Sequence, residues 1–255
     1  MEKVNFYGVG LNLLDTKEAL NICNQYLDEN NTQTIFFLNA HYYNLSCKDY
    51  LYRKVLNEST LLLNDGVGVS LGLKFKGIKE KENMNGTDFI PKLLELFAKN
   101  NNKIFCLGAK EEVIKEVPKK LKSKYKNINI VGFKNGYFNK EDEEKVIYDI
   151  NNSGAEILII GMGAPLQEIW VSENKHKLKS VKLIIAGGAI FDFISEKVSR
   201  APKIIRKLGF EWIYRLYLEP KRLFSRYVIG NIAFFLNIFS NRKSYILGGK
   251  NEKQK

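Results

Sequence analysis

Residues 156–170 read EILIIGMGAPLQEIW. The apolar run Glu156–Ile160 is short and rich in β-branched side chains, which favours a strand over a buried helix segment. It runs into Gly161-Met162-Gly163, and Pro165 then suits the first position of a helix. The unit is strand, glycine turn, helix, and it recurs outward in both directions. Downstream, KLIIA (182–186) enters Gly187-Gly188-Ala189. Upstream, KIFCL (103–107) enters Gly108-Ala109, and TLLL (60–63) enters Asn64-Asp65-Gly66-Val67-Gly68. TIFFL (34–38) and Ile128–Val131 complete the expected strands. Helical spacing fills the gaps at Thr16–Asn30, Thr87–Lys99, Lys110–Lys124, Asn139–Asn152 and Pro165–Lys179. Strands alternating with helices predict an α/β fold with a mostly parallel sheet covered on both faces.

The glycine turns all fall on one predicted sheet edge. Ligands of open parallel sheets bind beyond the carboxyl ends of the strands. Glycine there admits close backbone approach, and a following helix offers free N–H groups to phosphate. Four such turns, around Gly66, Gly108, Gly161/Gly163 and Gly187/Gly188, point to a nucleotide or nucleotide-sugar crevice. Three polar side chains stand on the same edge. Asp65 follows a strand directly, which suits a general base, a metal ligand or a ribose contact, and equally an Asx turn or helix cap. Gln167 lies in a first helical turn, where its amide either enters the crevice or faces solvent. Asp192, in AGGAIFDF, sits among Ile190, Phe191, Phe193 and Ile194, so it is either half-buried and paired or functional.

The formal net charge is +12, and residues 196–255 hold 14 Lys/Arg against 4 Asp/Glu. Within that block Tyr227–Asn241, YVIGNIAFFLNIFSN, carries no charge. Cations flanking an aromatic, apolar segment suit an anionic membrane face. The expected organisation is therefore a body at 1–195 and a basic, helical appendage at 196–255. No run reaches the ~18 apolar residues of a spanning helix. Val228–Phe239 is apolar nearly all round, so as a helix it enters the membrane interface, packs on the body or drives homo-oligomerisation. The start, MEKVNFYGVG, lacks the pattern of a signal peptide. Cys23, Cys47 and Cys106 fit reduced thiols, and neither Cys nor His spacing suggests a metal site. Zinc-finger, RNP and helix-turn-helix patterns are missing, which argues against a nucleic-acid partner. G-x-S-x-G, Walker A and strand-linked G-x-G-x-x-G motifs are missing too, which demotes serine hydrolases, P-loop NTPases and dinucleotide dehydrogenases.

Asp65-Gly-Val-Gly, Asn85-Gly86-Thr-Asp88, Gly136-Tyr137-Phe, GMGAPLQEIW, AGGAIFDF and SRAPKIIRKLGFEWIYRLYLEPKRLFSRY, taken in order, resemble the WecG/TagA/CpsF glycosyltransferases from about Val4 to about Tyr227. The resemblance implies a Rossmann-like body whose C-terminal appendage helps complete the site. It implies inverting transfer from a UDP-sugar to a polyprenyl-diphosphate-linked sugar, with the enzyme cytoplasmic and peripheral on the inner membrane face. In the TagA branch the donor is UDP-N-acetylmannosamine and the acceptor N-acetylglucosamine-diphospho-undecaprenol, for wall teichoic acid. Other branches use N-acetylmannosaminuronic acid or glucose donors for capsule or exopolysaccharide.

Carried over residue by residue, the resemblance makes Asp65 the base. It places Asn39, Gln167 and Asp192 in the donor pocket with Gly66, Gly108, Gly136, Tyr137, Gly161, Gly163, Gly187 and Gly188. Arg215, Arg222 and Arg226 match the appendage cations, and Arg200 is a further candidate for phosphate, since guanidinium engages it bidentately. With helix N-termini and arginines to hold the diphosphate, no cofactor is required and a divalent metal is optional. Three positions depart from the family pattern: Phe37 replaces Thr, His41 replaces Glu, and Asn83 replaces Arg. A non-catalytic nucleotide-sugar binder is the remote alternative; it predicts UDP binding without turnover.

Overall fold

The computed structural model describes residues 3–207 and 209–251, and for residue 207 and residues 241–251 the backbone alone. The chain opens with an antiparallel hairpin, β1 (Val4–Phe6) and β2 (Val9–Leu11). Six strands follow: β3 (Gln33–Leu38), β4 (Leu61–Asn64), β5 (Lys103–Gly108), β6 (Asn129–Lys134), β7 (Ile157–Gly161) and β8 (Leu183–Ala186). They form one parallel sheet in the order β4-β3-β8-β7-β5-β6. The helices are α1 (Thr16–Tyr26), α2 (Ala40–Lys48), α3 (Tyr50–Asn57), α4 (Val67–Phe75), α5 (Gly86–Lys99), α6 (Glu111–Ile114), α7 (Val117–Lys124), α8 (Glu143–Ser153) and α9 (Leu166–Asn174). After β8 come α10 (Ile190–Ile194), α11 (Lys203–Lys207), α12 (Glu211–Leu218), α13 (Pro220–Phe224) and α14 (Gly230–Asn251).

The strands are continuous apolar runs because both faces of the sheet are covered. Period-two alternation sends Phe36, Leu38, Leu158 and Ile160 into one core with α2, α3 and α9. Ile35, Phe37, Ile157 and Ile159 enter a second core with α1, α5 and α7. All six expected strands are present, with no end moved by more than three residues. The single helix expected over Lys110–Lys124 is two, because Pro118 stands in the first turn of α7 and cannot donate to the preceding turn. The hairpin and α2–α4 were not expected from sequence.

The chain beyond α10 turns back onto the body. Phe234 and Ile238 of α14 are fully buried in the first core, where Phe234 meets the Tyr43 ring edge-on at 5.5 Å and stacks on Phe6 at 6.4 Å. Of the three destinations left open for Val228–Phe239, packing on the body is observed for this one face. The opposite face is bare: Ile232 is 61% and Leu236 64% exposed. One expectation needs correcting. Helix begins before the apolar run, and Pro220–Ser240 is a 21-residue stretch with mean hydropathy 1.3, long and apolar enough by composition to cross a membrane.

Candidate active site

Leu38 and Asn64 are paired across β3 and β4, so the next residues, Asn39 and Asp65, leave the sheet side by side. The Asp65 backbone N–H donates to the Leu38 carbonyl at 2.9 Å. Asn39 Oδ1 caps α2 by accepting from the Tyr42 N–H at 3.1 Å, which fixes its ring-like turn and aims Nδ2 at Asp65 Oδ2, 3.3 Å away. Burial pushes the Asp65 carboxyl up to about 6, against the pull of the Asn39 amide and of Arg226. A carboxyl poised near neutrality at a strand end, with one amide donor, is suited to accepting a proton. The Gly66 N–H donates to Asn83 Oδ1 at 2.8 Å, so Asn83 steadies the turn that carries Asp65.

The glycine turns of β5 and β7 meet at the same edge. Gly108 adopts φ +143°, and a Cβ there would lie 2.4 Å from the Gly161 carbonyl oxygen, so no other residue fits. Gly136 packs next to Gly108, and Tyr137 projects outward, 73% exposed, beside a shallow cleft formed with Lys110, Glu111, Glu112 and Asn135. These residues and the turns at Gly161, Gly163, Gly187 and Gly188 thus share the carboxyl edge expected of them.

Gln167 is brought to that edge but does not open onto it. Its side chain is fully buried; Oε1 accepts from the Gly163 N–H at 3.1 Å and from the Gly188 N–H at 3.2 Å. Its amide ties the turn after β7 to the turn after β8. Nε2 donates to Glu168 Oε1 at 2.7 Å, and burial pushes that fully buried carboxyl up to about 7. Glu168 was missed in the sequence; an acid one residue after a pocket Gln reads as a solvated helix face. Gln167→Ala leaves two part-buried N–H groups unpaired and removes the amide donor from the buried Glu168 carboxyl. It is expected to cost about 2–5 kcal/mol of unfolding free energy, measurable by urea titration, and Gln167→Glu, which sets a second buried carboxyl against Glu168 in place of the amide donor, is expected to cost at least as much.

Positive charge comes from the segment after α10. Arg226 lies 5.9 Å from the Tyr42 ring, and burial, helped by the charges of Arg226 and Lys48, holds the His41 imidazole down at about 4. His41 is therefore neutral at pH 7. The Arg215 guanidinium sits 5.2 Å from the Phe193 ring, and with Arg222 and Lys197 it offsets the burial that raises the Asp192 carboxyl. The Nε groups of Arg215 and Arg226 are shielded from solvent and have no hydrogen-bond partner. Arg222 is exposed and ion-paired with Glu219. Arg200 is not placed for phosphate: Nε and Nη2 fork onto Glu211 at 3.1 and 3.0 Å, and Nη1 donates to Asp88 at 2.7 Å and to the Thr87 carbonyl at 2.8 Å. Phe37 is core, packed under Gly86.

An acid at a parallel-sheet edge, glycine turns and free guanidiniums form a constellation that can move a group from a diphosphate to a hydroxyl. The sequence model of the "Glycosyl transferase WecG/TagA/CpsF family" matches residues 4–246. The chain belongs to this family. It is a glycosyltransferase. It is also 33% identical, over 197 residues, to the N-acetylglucosaminyldiphosphoundecaprenol N-acetyl-beta-D-mannosaminyltransferase of Bacillus subtilis (strain 168), which covers 77% of this chain and 76% of that relative. In this family member the departures at Phe37 and Asn83 have structural uses, one in the core and one under the Asp65 turn.

Proposed function

We propose that this glycosyltransferase moves N-acetylmannosamine from its UDP derivative to lipid-linked N-acetylglucosamine diphosphate. The donor and acceptor classes rest on the likeness to the Bacillus subtilis enzyme. The observation that carries the chemistry is the half-buried Asp65, raised to about 6 and held by Asn39, together with the unpartnered Nε groups of Arg215 and Arg226. Asp65 takes the proton from the attacking acceptor hydroxyl. The new bond forms at the anomeric carbon as its bond to the diphosphate breaks on the opposite face, and configuration inverts. Arg215 and Arg226 take up the charge developing on UDP, with the glycine turns and helix N-termini cradling its phosphates. Burying an unpaired guanidinium N–H has a cost, which an anionic ligand removes.

The body at 1–195 holds the donor, and the basic segment 196–255 completes the site at the inner face of the membrane. The bare side of α14 is continuous in character with exposed Phe224, Ile229 and Phe239, and Lys221 lies beside them. Apolar burial together with about 1 kcal/mol per juxtamembrane cation gives reversible peripheral binding to an anionic leaflet. Replacing Ile232 and Leu236 by Glu is expected to lower co-sedimentation with anionic vesicles about tenfold or more, at unchanged melting temperature. Unchanged co-sedimentation would sink the peripheral assignment. The transfer reaction is tested by UDP release across a panel of UDP-sugars with a short-chain N-acetylglucosamine-diphospho-lipid. Release with the N-acetylmannosamine donor alone is expected; release only with a different donor would overturn the assignment.

A further inference from the structure

Asp88 lies in the first turn of α5, far along the chain from the arginines that surround it. Its Oδ1 accepts from Arg200 Nη1 and from Arg206 Nη1, each at 2.7 Å. Arg200 passes the contact on by its bidentate fork onto Glu211, the first residue of α12. Arg206 Nε in turn donates to the Ala201 carbonyl at 3.1 Å, which closes the loop leading into α11. At Gly209, just before α12, the chain is pressed hard onto the body. Gly209, at φ +77°, stands where a Cβ would lie 2.2 Å from a methyl of Val67, the first residue of α4 and two places after Asp65. Glu211 and Arg215 are four residues apart on α12 and so share a helix face. Arg200 and Arg215 both sit against Phe193, at 5.8 and 5.2 Å.

We propose that Asp88 is a positioning residue of the transfer reaction: through Arg200 and Glu211 it sets the placement of α12, and so holds Arg215 against Phe193 of α10, just beyond the glycine turn after β8. This rests on the role given to Arg215 above. Two guanidiniums on one carboxylate oxygen, with side chains that are at most half exposed, make a junction of fixed geometry, unlike a lone surface ion pair. A small displacement of a group that stabilises a transition state costs about 10²-fold in rate.

The test is a double-mutant cycle between Asp88→Asn and Arg215→Gln, read by kcat/KM for the donor and by acrylamide quenching of tryptophan fluorescence. Trp212 on α12 is partly exposed whereas Trp170 is buried, so quenching reports the seating of α12. Asp88→Asn alone is expected to lower kcat/KM about 10²-fold and to raise quenching. In the Arg215→Gln background it should add little further loss, because the group it positions is gone. Losses that multiply, or unchanged quenching in Asp88→Asn, would overturn the proposal. If Asp88→Asn does not fold, Glu211→Gln breaks the fork from the other side and must give the same pattern. Wild-type protein without turnover, but with quenching that rises in Asp88→Asn, would count against the transfer reaction and leave the seating role standing.

Discussion

Asp65→Asn is expected to lower kcat by about 10²–10⁴-fold, the range for loss of a general base, and at the same time to stabilise the fold. The two effects share one cause. The folded carboxyl titrates near 6, above the value of about 3.9 for a free aspartate. The unfolded chain therefore gives up this proton more readily. Between pH 4 and 6 the native state comes to bear an increasingly unfavourable buried charge, and above that range the cost is constant. Asparagine carries no charge and can still accept from Asn39 Nδ2. The variant's melting temperature should rise by about 2–4 °C at pH 7.5, and the difference should vanish below about pH 4. Wild-type kcat/KM should climb with pH through about 6 as the base ionises. A structural Asp65 would give the reverse pattern, a lower melting temperature with turnover largely kept.

Replacing Arg215 or Arg226 by Gln carries the second large expected loss, about 10²–10³-fold in kcat for each. Their Nε groups are shielded from solvent and make no hydrogen bond to any side chain or carbonyl, which a bound diphosphate would remedy. Both losses should appear chiefly in kcat if the arginines meet charge that develops on the leaving diphosphate, and in KM if they only bind the ground state. Arg222 offers a contrast on the same segment. It is exposed and already paired with Glu219, and Arg222→Gln should cost much less. Steady-state kinetics on the three variants distinguishes these cases.

The sheet was legible because buried parallel strands are short apolar runs, and EILII, KLIIA and KIFCL are each followed directly by glycine. That pattern located the edge on which Asn39, Asp65 and the glycine turns meet. Helices α2 and α4 were not legible. AHYYNLSCK lacks a clean apolar face until Tyr42 and Tyr43 find the core, and VGVSLGLKF carries two glycines that read as loop. Their helicity comes from tertiary packing. Side-chain partners were the least legible feature. Gln167 and Arg200 had the right residue types for substrate contact. Yet Gln167 turns inward to hold two backbone N–H groups, and Arg200 finds Asp88, 112 residues away. Local sequence cannot show which distant carboxylate will use up a guanidinium.

The most direct test of the account follows the transferred sugar itself. Labelled UDP-N-acetylmannosamine and a short-chain N-acetylglucosamine-diphospho-lipid would be incubated with wild-type protein and with Asp65→Asn. The lipid product would be isolated and its new anomeric centre read by NMR. The account predicts a β-linked disaccharide lipid from wild type and almost none from the variant. An α-linked product, or equal yields from the two proteins, would contradict it.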